Sequence, residues 1–183
     1  MSVTLVLGGA RSGKSQYAEG LLGAQRAVSY VAPGEPPDGS DAEWAERISQ
    51  HQARRPATWT THETSEIAAV IRGSEDAVLV DCLSTWVTAL IDSIDAWENP
   101  TRATSHLVKE TADLLEALGS ATSDVVLVTS EVGLAVVPNT SSGRLFRDQL
   151  GWLNASVSAA SDRVVMVLAG RVLDLSGCPV VSP

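Results

Sequence analysis

The chain has 183 residues, 44% of them hydrophobic and 19% charged, and carries a formal net charge of −9. That length suits a single domain, residues 1–183, around one buried core. The acidic balance repels phosphate backbones and argues against nucleic acid as the main partner. The two cysteines, Cys82 and Cys178, have no metal-ligand spacing and point to a reducing cytosol.

In chain order, residues 3–7 read as a first strand rather than a signal peptide, because no basic segment precedes them. They run into a glycine-rich turn and a predicted helix over 14–22. A second strand is expected over 27–31, then a Pro/Gly-rich loop over 33–40. Asp41 is placed to cap a helix over 42–54. A helix over 65–71, a strand over 77–80 and a helix over 83–94 follow, with Asn99-Pro100 breaking the helical stretch that ends near Trp97. The remaining expectations are a helix over 101–118, a strand over 125–129, a flexible loop over 138–143, a helix over 143–160 and a strand over 164–169. The strands are apolar at consecutive positions, as strands covered on both faces are. Alternation of strand and helix predicts an α/β fold with a mostly parallel, doubly wound sheet and ligand sites at the carboxyl ends of its strands. No apolar run approaches the roughly 20 residues needed to cross a bilayer, so a cytoplasmic protein is expected. Trp97 and Trp152 are open to two readings, interface or core.

The turn after the first strand, Gly8-Gly9-Ala10-Arg11-Ser12-Gly13-Lys14-Ser15, satisfies G-x-x-x-x-G-K-[ST] throughout. Glycines let successive backbone N–H groups face one anion, and the following helix adds its dipole. Lys14 would reach the β and γ phosphates of a purine nucleoside triphosphate, and the Ser15 hydroxyl would ligate Mg²⁺. Asp81, at the end of the strand over 77–80, is the candidate second metal ligand. Glu131, after the strand over 125–129, is its rival.

No N-K-x-D segment exists to read a guanine as small GTPases do, and D-x-x-G begins only at Asp148 and Asp174, too late for a switch. Transfer of a phosphoryl or nucleotidyl group to a small molecule remains. On a helix Arg47, His51 and Arg55 fall at i, i+4 and i+8, which sets an imidazole between two guanidiniums. A neutral imidazole attacks phosphorus, and flanking arginines neutralise the charge that builds there. Trp44 and Ile48 share that face, so His51 also fits a packing role. Three functions stay open on these residues: a nucleotidyl-transferring kinase, a kinase of another small alcohol, and a GTP-binding regulatory module.

Beyond the glycine loop, the chain carries Tyr30-Val31-Ala32, then Arg47-Ile48, His51, Arg55-Pro56, Trp59, Thr61 and Glu63. Asp81-Cys82-Leu83-Ser84-Thr85, Val125 to Thr129, Glu131-Val132-Gly133, Val137-Pro138, Arg144, Phe146-Arg147-Asp148, Gly151 and Asn154 follow. In this order they resemble the bifunctional adenosylcobinamide kinase/adenosylcobinamide-phosphate guanylyltransferase family of cobalamin assembly. The resemblance implies a P-loop fold of RecA-like character and phosphorylation of adenosylcobinamide by ATP or GTP. It implies that GMP is then transferred from GTP to adenosylcobinamide phosphate through a guanylylated His51. With Lys14 and Asp81, His51 is the implied catalytic set. Nucleotide contacts are implied for Gly8, Gly9, Ala10, Arg11, Ser12, Gly13, Lys14, Ser15, Pro33, Gly34, Glu35, Gln52, Ala53, Arg54, Arg55, Glu63 and Asp81. Ser15 and Asp81 are the expected Mg²⁺ ligands. A homo-oligomer, a trimer in that family, is also implied. His62 and His106 read as surface residues. The chain departs from the family pattern at Ala89, Ser130, Ala135, Asn139-Thr140 and Gly170-Arg171-Val172.

Overall fold

The computed structural model describes residues 1–24, 26–34, 46, 49, 52 and 55–181. The elements are β1 (Val3–Gly8), α1 (Lys14–Leu22), β2 (Val28–Ala32), β3 (Trp59–Glu63), α2 (Ile67–Gly73) and β4 (Ala77–Asp81). They continue with α3 (Leu83–Ser93), α4 (Pro100–Ser120), β5 (Val125–Ser130), α5 (Ser141–Ala159), β6 (Arg163–Leu168) and β7 (Arg171–Asp174). The strands form one sheet in the order β3-β2-β4-β5-β1-β6-β7. β1 to β6 run parallel, and β7 returns antiparallel along β6.

Alternate side chains of each strand enter opposite layers. Leu5, Val78, Val80, Val125 and Leu127 pack under α2 to α5, against Trp86, Leu107, Leu114, Leu150 and Leu153. Val6, Leu79, Val126 and Val128 pack on the other side against Ala18 and Leu22 of α1, together with Tyr30 and Trp59. Each fully buried Val or Leu contributes about 1.5–3 kcal/mol, so the sheet is held from both faces. The parallel arrangement brings the ends of β1 to β6 to one edge. There Gly8 lies opposite Ser130, Asp81 opposite Val128, and Ala32 opposite Glu63. β5 intervenes between β1, which carries the glycine loop, and β4, which carries Asp81.

The five expected strands are present with ends shifted by a residue. Two others lack an apolar run: in β3 only Trp59 is buried, and all four residues of β7 are exposed. The helix over 42–54 and its cap Asp41 lie outside the described residues, apart from helical backbone at Glu46, Ser49 and Gln52. Asn99-Pro100 lies between two helices, as expected: α3 ends at Ser93, before Trp97, and α4 starts at Pro100, one residue ahead of the helix expected from 101. The Asn99 side chain accepts from Arg102 N–H at 3.1 Å, and Pro100 takes the first helical position, where its missing N–H costs nothing. The loop expected over 138–143 is half helix, because Thr140 Oγ1 caps Gly143 N–H at 3.1 Å. Trp97 and Trp152 are partly buried against the larger core. His106 is half-buried rather than freely exposed, with Nδ1 3.9 Å from Glu110. Among the described residues no helix is long and apolar enough to cross a membrane.

Candidate active site

The glycine loop is built from tight backbone geometry. A Cβ at Gly8 would meet the Val167 carbonyl oxygen at 2.8 Å, and the Ser12 side chain as well. The Gly8 carbonyl accepts from Glu131 N–H at 3.2 Å, so β1 is pinned between β6 and the end of β5. Arg11 (φ 56°) and Gly13 (φ 94°) both take left-handed backbone, a conformation glycine adopts at little cost. Gly13 stands at the N-cap of α1 without a side chain to satisfy the first-turn amides, which leaves them for an anion. Lys14 is buried, 6% exposed, and its Nζ donates to the Gly9 carbonyl at 3.1 Å. The Ser12 Oγ is buried without a hydrogen-bond partner. Ser15, one residue into α1, is half-buried.

Asp81 closes β4 and accepts a hydrogen bond at Oδ2 from the Tyr30 hydroxyl at 3.1 Å. Burial, reinforced by the Asp81 charge, pushes the Tyr30 phenol well above its ordinary pKa, so it stays a proton donor. The Arg55 guanidinium sits 3.7 Å from the Tyr30 ring centroid and donates from Nη1 to Thr61 Oγ1 at 3.1 Å. Trp59 stacks on the same tyrosine with centroids 6.2 Å apart. Gln52, Arg55, Pro56, Trp59, Thr61 and Glu63 line a cleft of about 470 Å³. Glu63 is exposed at the end of β3. Pro33 and Gly34 follow β2, the first buried and the second half-buried.

The carboxyl edge of the sheet therefore gathers Gly8 to Ser15, Pro33, Gly34, Glu63 and Asp81, with Gln52 and Arg55 in the adjoining cleft. Arg55 lies past the helical backbone, in a bend where its N–H bonds the Gln52 carbonyl at 3.1 Å. Arg47, His51, Glu35, Ala53 and Arg54 lie outside the described residues. Glu131, the rival of Asp81, spends Oε1 on Gly133 N–H at 2.5 Å and caps its own turn.

Sequence reasoning gave no role to Tyr30, Trp59 or Thr61, although a tyrosine in an otherwise small, aliphatic strand was a usable signal. A polar chain behind the edge was also missed. Cys82 Sγ meets Ser84 Oγ at 2.8 Å, and Ser84 Oγ meets Ser130 Oγ at 3.3 Å. Asn154, 5% exposed, donates to the Ser130 carbonyl at 3.0 Å and accepts from Thr129 Oγ1 at 2.7 Å. These contacts tie α5 to the end of β5.

The fold resembles solved structures at low sequence identity. A prototypical ATPase from the type III secretion system of pathogenic bacteria superposes with a TM-score of 0.57 at 15% identity, over 90% of this chain and 50% of that one. A protein of Pyrococcus horikoshii OT3 gives 0.57 at 7% identity, over 100% and 92% of the two chains. Sequence relatives are nearer. The bifunctional adenosylcobalamin biosynthesis protein CobP of Pseudomonas aeruginosa is 41% identical over 180 residues, 96% of this chain and 98% of the relative. The bifunctional adenosylcobalamin biosynthesis protein CobU of Salmonella typhimurium is 36% identical over 175 residues, 91% and 95% of the two chains. Residues 4–175 match the family model for cobinamide kinase / cobinamide phosphate guanyltransferase. Across nearly its whole length, this chain belongs to that family.

Proposed function

We propose that the protein phosphorylates adenosylcobinamide with ATP or GTP and then converts the product to adenosylcobinamide-GDP with GTP. The observation that carries this reading is the family match over residues 4–175, joined to a complete glycine loop with Lys14 buried inside it. In the first reaction the acceptor hydroxyl attacks the γ phosphorus, the bridging P–O bond breaks, and the nucleoside diphosphate leaves. In the second, a neutral His51 nitrogen attacks the α phosphorus of GTP and pyrophosphate leaves. The adenosylcobinamide phosphate oxygen then attacks the same phosphorus, and breaking of the P–N bond restores His51. Lys14 and the loop amides hold the β and γ phosphates in both, as substrate in one case and as leaving group in the other. Gln52, Ala53, Arg54, Arg55, Pro33, Gly34, Glu35 and Glu63 are the further nucleotide contacts of this reading.

Ser15 and Asp81 supply hard oxygen donors suited to Mg²⁺. Among the described residues no group of three His, Cys, Asp or Glu could hold a metal alone, which fits an ion completed by phosphates and water. Bound there, Mg²⁺ would neutralise charge on the phosphates. The enzyme is proposed to work in the cytoplasm as a homo-oligomer, a trimer by analogy with its family. Exposed Val136, Val172 and Leu173 leave apolar surface that subunit contact would cover.

The test is incubation with α-labelled GTP and mapping of the modified residue. The adduct should be acid-labile and alkali-stable, should pass GMP to adenosylcobinamide phosphate, and should be absent in His51→Ala while kinase turnover persists. A well-folded His51→Ala protein labelled at the wild-type rate would return His51 to a packing role.

A further inference from the structure

Tyr30 is 1% exposed, and its hydroxyl meets Asp81 at the carboxyl end of β4. β2 pairs Tyr30 with Leu79 of β4 on one side and with Thr61 of β3 on the other. The phenol therefore reaches two residues along β4 to Asp81 Oδ2 at 3.1 Å. The ring itself is held by contacts beyond ordinary packing. Trp59 stacks on it at an interplanar angle of 29°, and the Arg55 guanidinium lies 3.7 Å from its centroid. Arg55 is anchored in turn on Thr61, the register partner of Tyr30, while its Nε is buried without a hydrogen-bond partner.

A carboxylate that ends a strand can rotate about its last side-chain bond, and each orientation it visits weakens its hold on a metal. A bond from an immobile donor limits that rotation, in addition to any other hold on the carboxylate, as the partners of metal-ligating side chains commonly do. We propose that Tyr30 is a positioning residue for Asp81, a fixed phenol that holds the carboxylate in its metal-binding orientation while Arg55 and Trp59 hold the phenol. This rests on the reading of Asp81 as a Mg²⁺ ligand. A purely structural Tyr30 would shift the thermal midpoint on loss of its oxygen and leave metal affinity unchanged.

The deciding experiment measures Mn²⁺, a spectroscopic stand-in for Mg²⁺, binding to the full chain with a non-hydrolysable GTP analogue by electron paramagnetic resonance. Wild type, Tyr30→Phe and Asp81→Asn are compared, each with its thermal midpoint and its metal-free affinity for the analogue. Tyr30→Phe should raise the half-saturating Mn²⁺ concentration roughly tenfold. Its metal-free nucleotide affinity should stay at the wild-type value, since Arg55 keeps its aromatic platform. Asp81→Asn should weaken Mn²⁺ at least as much. Wild-type Mn²⁺ affinity in Tyr30→Phe, with Asp81→Asn weakened, overturns the positioning role and leaves Asp81 as a ligand. Wild-type Mn²⁺ affinity in Asp81→Asn overturns the metal reading of Asp81 and the proposal with it. A Tyr30→Phe protein changed only in thermal midpoint also overturns the proposal.

Discussion

Replacing Lys14 by methionine should separate nucleotide binding from stability. Lys14 is 6% exposed, and its described hydrogen bond runs to one carbonyl, Gly9, at 3.1 Å. An ammonium out of water with so few partners costs the fold more than a thioether of similar length would. Lys14→Met should therefore melt at the wild-type temperature or above it. Binding should move the other way. Two unit charges about 4 Å apart attract by roughly 4 kcal/mol at an effective dielectric near 20. Little of this is lost to desolvation, because the Lys14 side chain is already buried by the fold. The expected effect is a Kd for GTP raised about a thousandfold. Titration calorimetry with a non-hydrolysable analogue measures the affinity, and melting with and without that analogue gives an independent check, since tight ligands raise the midpoint. An analogue Kd within threefold of wild type would refute the phosphate-holding role. A midpoint lowered by many degrees without nucleotide would show that Lys14 instead supports the core.

Three other outcomes follow from particular contacts. Asn154→Leu strands the fully buried Thr129 hydroxyl and removes a donor from the Ser130 carbonyl, so denaturant unfolding should show a loss of about 3 kcal/mol, and a loss below about 1 kcal/mol would count against the buried network. Gly8→Ala drives a Cβ onto the Val167 carbonyl, a backbone atom that cannot rotate away, and should cost about 1–3 kcal/mol by the same measurement while also weakening GTP. Asp124 is held below the usual carboxylate range first by its bond from Arg26, at 2.8 Å, and then by the Ser2 N–H. Its contribution is therefore present above about pH 4 and lost as pH falls through the depressed value. Asp124→Asn should lower stability by about 0.5 kcal/mol at pH 7 and by nothing at strongly acid pH, with a pH-independent deficit as the contrary result.

The glycine loop, the parallel α/β architecture and the place of Asp81 at a strand end are legible in the chain because each rests on local physics. Consecutive apolar residues mark strands buried on both faces, and a complete phosphate-loop pattern leaves few backbone paths between a strand and a helix. β3 and β7 were not legible for the matching reason. Thr60, Thr61 and Glu63 face outward, and Arg171 to Asp174 are all exposed, so neither segment carries a hydrophobic period. Asn99-Pro100 is legible as a boundary between two helices, because a capping asparagine and a first-turn proline are local signals of a helix start. The site divides along the same line. Residues adjacent in the chain, Gly8 to Ser15, announce themselves through their spacing. Tyr30, Arg55 and Asp81 are far apart in sequence, and only pairing of β2 between β3 and β4 brings a phenol against a carboxylate and a guanidinium against the phenol. Strand order is set by which buried faces pack best over the whole sheet, and no local window of residues contains that information.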